Sequence, residues 1–404
     1  MPKKRSIKAS VNLDAYFAGH FYDDRFLQFL RYDSAPAAAN YMLTLPDDKL
    51  RQFYDVTMQL KRASDRTIDT AEQQLRLFNR IAEQETNWIV YPLYVVAHQL
   101  LSLALHEAAS HELLEQCGRT IHRSFNLCLN DRNPEEHENR RTGCYTFANL
   151  EFRLYHALRN RDMMKNLVKV LQSRGDELPP LRDTLAAEHK SHCVTYHYYM
   201  GEYYGCHESN FVSAFEHLNT ALLTCPASSA SGNSPCCRQL WHILLLLIPH
   251  AMLAHRYYPN WDAVERICTP DVYAALHRYY GPVTACLLDG DVTRYDDHCA
   301  QHEVFFLKHG LYVAMGLLRQ LVWLKRFHNC WLYGTDRATS VVPLEVFIVG
   351  SDQQQDADAR EEQLDALECQ LANQISNGNI KGYLSHSKRC IVLSKRDPFP
   401  RRCA

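Results

Sequence analysis

The chain has 404 residues, a formal net charge of -2, and 46% hydrophobic against 22% charged residues. That balance supports a sizeable core and excludes a chain disordered by composition. Near-neutrality excludes a whole-molecule attraction to nucleic acid, so any such binding needs a local patch.

In chain order, the N-terminus carries Lys3-Lys4-Arg5 and Lys8 without the apolar run of a secretory signal. The cluster has the form of a short nuclear-import element. The 15 cysteines include no CxxC pair, which argues for buried reduced thiols over a zinc ribbon or a disulfide framework. Glycine and proline are sparse, and the stretches between them carry three-four spacing at 91–105, at Phe211, Ala214, Phe215, Leu218, Ala221 and Leu222, and at 305–324. This predicts antiparallel helix pairs. No strict period is present, so a degenerate solenoid is expected over a consensus repeat.

Three joints separate the helices. Segment 130–141 (NDRNPEEHENRR) reads as a charged loop, 226–235 as a small polar connection, and 351–362 as an acidic loop or exposed helix start. The most apolar run, 240–253, is shorter than the roughly 20 residues of a membrane span. His242, Pro249 and His250 interrupt it, so a buried helix with a proline kink or break is expected, and no membrane partner. After 362, Leu364, Leu367, Leu371 and Ile375 form a helix face that Asn377-Gly378 ends. Two short apolar runs, 380–384 and 390–394, flank an SHSKR turn and predict a hairpin. With the upstream run 342–349, the order is that of a winged helix.

Candidate sites follow. Lys381, His386, Lys388, Arg389, Lys395 and Arg396 cluster on the hairpin and its flanks, extended by Arg401 and Arg402. Such a cluster suits phosphate contacts; it equally suits a solvated edge that keeps a sheet from aggregating. Nothing in it would read base edges. His106 and His111 are five apart, not the four of HExxH. His298 with His302, and His189, His192, Cys193 with His197, lack a further ligand pattern, so no metal is expected. No Gly-rich phosphate loop or nucleophile elbow occurs, so neither a cofactor nor catalysis is expected. The paired acids Asp23-Asp24 and Glu361-Glu362 read as solvated faces. The tyrosines Tyr196, Tyr198, Tyr199, Tyr203 and Tyr204 read as helix–helix core.

The closing residues, Asn379-Ile380-Lys381-Gly382-Tyr383-Leu384-Ser385-His386 followed by Val392-Leu393-Ser394-Lys395-Arg396-Asp397-Pro398-Phe399-Pro400, resemble the signature of one PCI-domain subgroup. That subgroup comprises the mRNA-export protein of the TREX two complex and its signalosome-subunit-twelve paralogue. Segments 194–201, 214–218 with Cys225-Pro226, 302–306 and Asn87-Trp88 agree in order. Leu332-Tyr333 and Ala251 depart from the family pattern, where basic residues are usual. The resemblance implies an all-α chain with a small β-hairpin: a helical-repeat, TPR-like solenoid ending in a PCI winged helix. The domains expected are 1–187 (N-terminal repeats), 188–335 (helical part of the PCI module) and 336–404 (winged helix). It also implies a non-catalytic scaffold of transcription-coupled nuclear mRNA export. The implied partners are a large PCI-like export scaffold, a small acidic protein of the DSS-one/Sem-one type, and RNA or double-stranded DNA bound on a composite winged-helix surface. The implied location is the nucleus, including the nuclear pore, with the cytoplasm as alternative. The signalosome-subunit-twelve reading, in a signalosome- or splicing-related assembly, is the alternative within the family. A metal-dependent enzyme is the alternative outside it.

Overall fold

The structure, a computed structural model, describes residues 10–32, 40–43, 47–62, 67–107, 110–226, 235–336, 339–348 and 357–400. Lys3-Lys4-Arg5, Arg401-Arg402, most of the 226–235 joint and the first part of the 351–362 joint lie outside the described residues. Contacts divide the chain into two units, Met1–Tyr199 and Met200–Ala404.

The first unit opens with β1 (Ser10–Asn12), parallel to β2 (Asn40–Met42), around α1 (Asp14–Gly19) and α2 (Asp24–Leu30). Then come α3 (Asp48–Arg62), α4 (Ile68–Ala82), α5 (Val90–His106), α6 (His111–Leu129), α7 (Cys144–Ala157) and α8 (Arg161–Ser173). Each packs on its sequence neighbour, and α4 also meets α6 and α5 meets α7. This is the stacking of a helical repeat. The starts are set by side chains: Asp23, Thr67, Ser110 and Asn160 each accept a backbone N–H of the first turn. Asp23 is thus a cap and not merely a solvated charge. Residues 87–106 are long and apolar enough to cross a membrane by length and composition alone. However, Leu93, Val96, Ala97, Leu100, Leu101 and Ala104 are buried among α4, α6 and α7, as in a central core helix. The unit closes with α9 (Leu185–Glu188) and the first part of α10 (Lys190–Glu202).

The division at Tyr199–Met200 differs from the boundary at 187/188 expected from sequence. Tyr196 and Tyr199 pack on Tyr145 and Phe152 of α7, at 5.1 and 5.9 Å between rings, which ties 188–199 to the first unit.

In the second unit a π-turn, Tyr203–His207, leads into α11 (Phe211–Thr224). The expected stripe is present there, with Ala214, Leu218 and Ala221 fully buried. Next come α12 (Pro235–His255), α13 (Trp261–Ile267), α14 (Pro270–Asp289), α15 (Val292–Gln301), α16 (Glu303–Lys308) and α17 (Tyr312–Gly334). Of the expected kink or break at Pro249, a break is absent: α12 runs on through the proline. Proline has no N–H for the carbonyl four residues back. That carbonyl, Leu245 O, accepts instead from the Tyr280 phenol of α14 at 2.5 Å.

The chain ends in a winged helix: β3 (Val341–Pro343), α18 (Ala357–Ser376), β4 (Gly382–Ser385) and β5 (Cys390–Leu393), in sheet order β3-β5-β4, all antiparallel. Leu364, Leu367 and Leu371 of α18, Val342, Ile391 and Leu393 of the sheet, and Phe327 of α17 form one core. The wing is therefore packed with α17 and is not a separate unit from 200–335.

Candidate functional site

The closing signature owes its residue types to backbone geometry. Gly378, with φ of 69°, ends α18 in the left-handed region. Asn379 is buried and donates to Gln374 Oε1 at 2.9 Å, while Gln374 Nε2 reaches the Gln320 carbonyl of α17 at 2.8 Å. A Cβ on Gly382 would stand 2.4 Å from the Val392 carbonyl, so only glycine fits the strand pairing. The Pro398 carbonyl accepts from Lys381 N at 2.9 Å, and Phe399 packs on Trp331 and His328 at 5.4 and 5.1 Å. These residues pin the wing and the chain end to α17. Upstream, the Asn-Trp element does the same for the first unit. Trp88 packs on Phe17 at 5.6 Å and donates to Glu85 at 2.8 Å, and Asn87 Oδ1 accepts from Thr142 at 2.6 Å.

The six cations expected to bind nucleic acid do not present a common free surface. Arg389, itself at φ of 45° just past the wing turn His386–Lys388, turns back onto α18. Its Nη1 reaches Asp365 at 2.6 Å and Glu368 at 2.8 Å, and its Nη2 bonds Glu361. These bonds, led by that to Glu361, hold the guanidinium pKa above its already high usual value. His386 Nδ1 joins Glu368 at 3.0 Å, and Lys381 meets Asp397 at 3.5 Å. Lys388, Lys395 and Arg396 are exposed, with no ion pair among the described residues. Glu361, expected with Glu362 on a solvated face, pairs with Arg389. The overlooked signal is that Glu361, Asp365 and Glu368 recur at i, i+4 and i+7, on one side of α18.

Asp365, Glu368 and His386 are also the one group of three among the described residues with metal-ligand proximity. The Arg389 guanidinium already supplies the cation there. The histidines at 189–197 and 298–302 form no such group among the described residues. His192 is buried, and desolvation first, then His189, lowers its pKa to about 4.

The wing's outer face carries one apolar row. Pairing places Val341, Val392 and Tyr383 in one row across all three strands, on the face opposite Val342 and Ile391. Tyr383 is 64% exposed and Val341 52%. Their strands, β4 and β3, are the two sheet edges, whose unpaired backbone groups invite a further strand.

A helical repeat ending in a winged helix is a PCI-like fold. No family model matches the chain. Curated relatives do. Cop9 signalosome complex subunit 12 of Saccharomyces cerevisiae is 44% identical, covering 96% of this chain and 99% of its own length. COP9 signalosome complex subunit 12 of Eremothecium gossypii is 36% identical, covering 93% and 94%. Protein CSN12 homolog of Schizosaccharomyces pombe is 28% identical, covering 75% and 65%. The chain belongs to the COP9 signalosome subunit 12 family. This corrects the expectation of a TREX two export and transcription scaffold, and with it the large export scaffold, the DSS-one/Sem-one type clamp and the RNA or DNA cargo. The relatives carry the name of the alternative reading.

Proposed function

We propose that the chain is a non-catalytic subunit of a COP9 signalosome-type complex, joined to a neighbouring subunit through the outer face and open edges of its wing. The observation that carries this is the exposed row Val341–Val392–Tyr383. An exposed aromatic side chain in an apolar row is a usual anchor of a subunit interface. The names of the relatives support the assembly. Burying Tyr383 and Val341 would remove from water the apolar surface that the isolated chain leaves exposed. In support of the non-catalytic role, His250, whose pKa burial lowers to about 4, is fully buried in the core.

The test is purification of the tagged chain from its own cells, followed by mass spectrometry. Other signalosome subunits are expected at stoichiometric levels, reduced at least tenfold by Tyr383→Glu. Recovery of the chain without any signalosome subunit, or full recovery with Tyr383→Glu, would contradict the proposal.

A further inference from the structure

The first unit contains a cleft of about 920 Å3 that the wing interface does not use. Its floor is the start of α5, with Trp88 and Tyr91. One wall is the 130–141 joint, another is the segment from Glu177 to Glu188, and Tyr22 closes a corner. Two features marked in the sequence, the charged joint and the Asn-Trp element, therefore meet at one place.

The joint has no strand or α-helix, yet it is held throughout. Asp131 accepts from the Arg140 backbone N–H at 2.8 Å and its Nε at 3.0 Å. Asn139 bonds the Asn133 carbonyl at 2.7 Å and the Arg141 N–H at 2.8 Å. The Glu138 carbonyl accepts from Asn87 N at 2.8 Å. A loop of this length ordered by its own side chains presents a shaped wall, and its ordering entropy is spent before anything binds.

The chemistry of the lining selects the occupant. Glu136, Glu177, Asp183 and Glu188 stand against Arg132 and Arg141, so the cleft is net acidic. That disfavours a phosphate or a nucleotide. In one corner the partly exposed Tyr22 ring packs on Tyr91, tilted by 32° with centroids 5.6 Å apart, while His189 stacks on Tyr91 at 5.2 Å. Glu188 is near enough to help raise the Tyr22 pKa, after burial, and has no ion pair among the described residues. Two aromatic rings beside a free carboxylate suit a side-chain cation, whose charge the rings and the carboxylate both attract. The cleft is open and its remaining lining mixes amide, hydroxyl and proline surface. Such a surface matches an extended backbone better than a compact small molecule.

We propose that this cleft docks an extended basic peptide of a partner protein, seating a lysine or arginine side chain on the Tyr22–Tyr91 pair beside Glu188. The site lies wholly within the first unit, so it stands or falls separately from the wing interface.

Fluorescence anisotropy with the full chain tests it. The probe is a labelled eight-residue peptide of alternating lysine and alanine, with the glutamate–alanine counterpart as comparison. Saturable binding of the lysine probe alone is expected, weakened about threefold by Glu188→Gln and about tenfold when Tyr22→Leu is added. Glu303→Gln, an exposed acid of the second unit, should leave it unchanged. Equal binding of the acidic peptide, full affinity in Glu188→Gln, or an equal loss in Glu303→Gln would overturn the proposal. Glu188→Gln alone decides the matter if Tyr22→Leu lowers the melting temperature.

Discussion

Leu245 has a carbonyl that its own helix cannot satisfy, because Pro249 stands where the donor should be. Tyr280, 35 residues on and fully buried, supplies the hydroxyl. Tyr280→Phe should therefore cost about 1–3 kcal/mol, the range for orphaning a buried acceptor, read as a lower midpoint in urea unfolding; an unchanged midpoint would remove this role. The proline is legible in the sequence, with a kink or break as its expected consequence. The rescuing phenol was not legible, since no spacing rule links a carbonyl to a donor on another helix. The residue after Pro249, His250, is fully buried, stacks on Phe211 at 5.7 Å, and has no hydrogen bond at either ring nitrogen among the described residues. Gly205, in the π-turn, abuts it so closely that a Cβ would lie 2.3 Å from the ring. Burial lowers the His250 pKa to about 4. The unfolded chain binds this proton near pH 6.5 and the folded chain does not, so stability falls as pH drops from about 6.5 to 4. His250→Phe should lose less stability than the wild type between pH 7 and pH 5, by about 2 kcal/mol. Parallel losses in the two proteins would contradict the assignment.

At the scale of the element, the wing was the most legible part of the chain. Its apolar runs, turn and helix-ending glycine each follow a local rule, and the structure has the hairpin where they place it. The third strand, β3, was marked only as an apolar segment, because a three-residue strand has no period to read. Arg389 was misplaced for a related reason: a basic residue beside a turn looks solvent-facing until the helix that faces it is known. Gly382 explains why the signature tolerates so little. Gly382→Ala should destabilise the wing by about 1–3 kcal/mol or more, since the blocking atom is backbone and cannot step aside. Loss of hydrogen-exchange protection along β4 and β5 would show it, whereas native protection in this variant would mean that the strand pairing has slack.

For the whole molecule, the fold class was readable from periodicity and the closing signature, but the assembly was not. Asn379 and Phe399 hold the wing to α17 and Gly382 lets its strands pair, needs that any chain with this wing has, whatever complex it joins. Such residues mark the architecture, and the curated relatives, all signalosome subunit 12 proteins, mark the branch. The surface proposed to meet a partner is the outer row of the sheet, where side chains are free of those packing constraints. The most direct measurement is hydrogen exchange of the chain alone and within its purified signalosome-type complex. Slowed exchange in the complex at 341–343 and 382–385 is the expected result. Exchange there identical in the free and assembled chain, with protection confined to other segments, would show that the wing is not the interface.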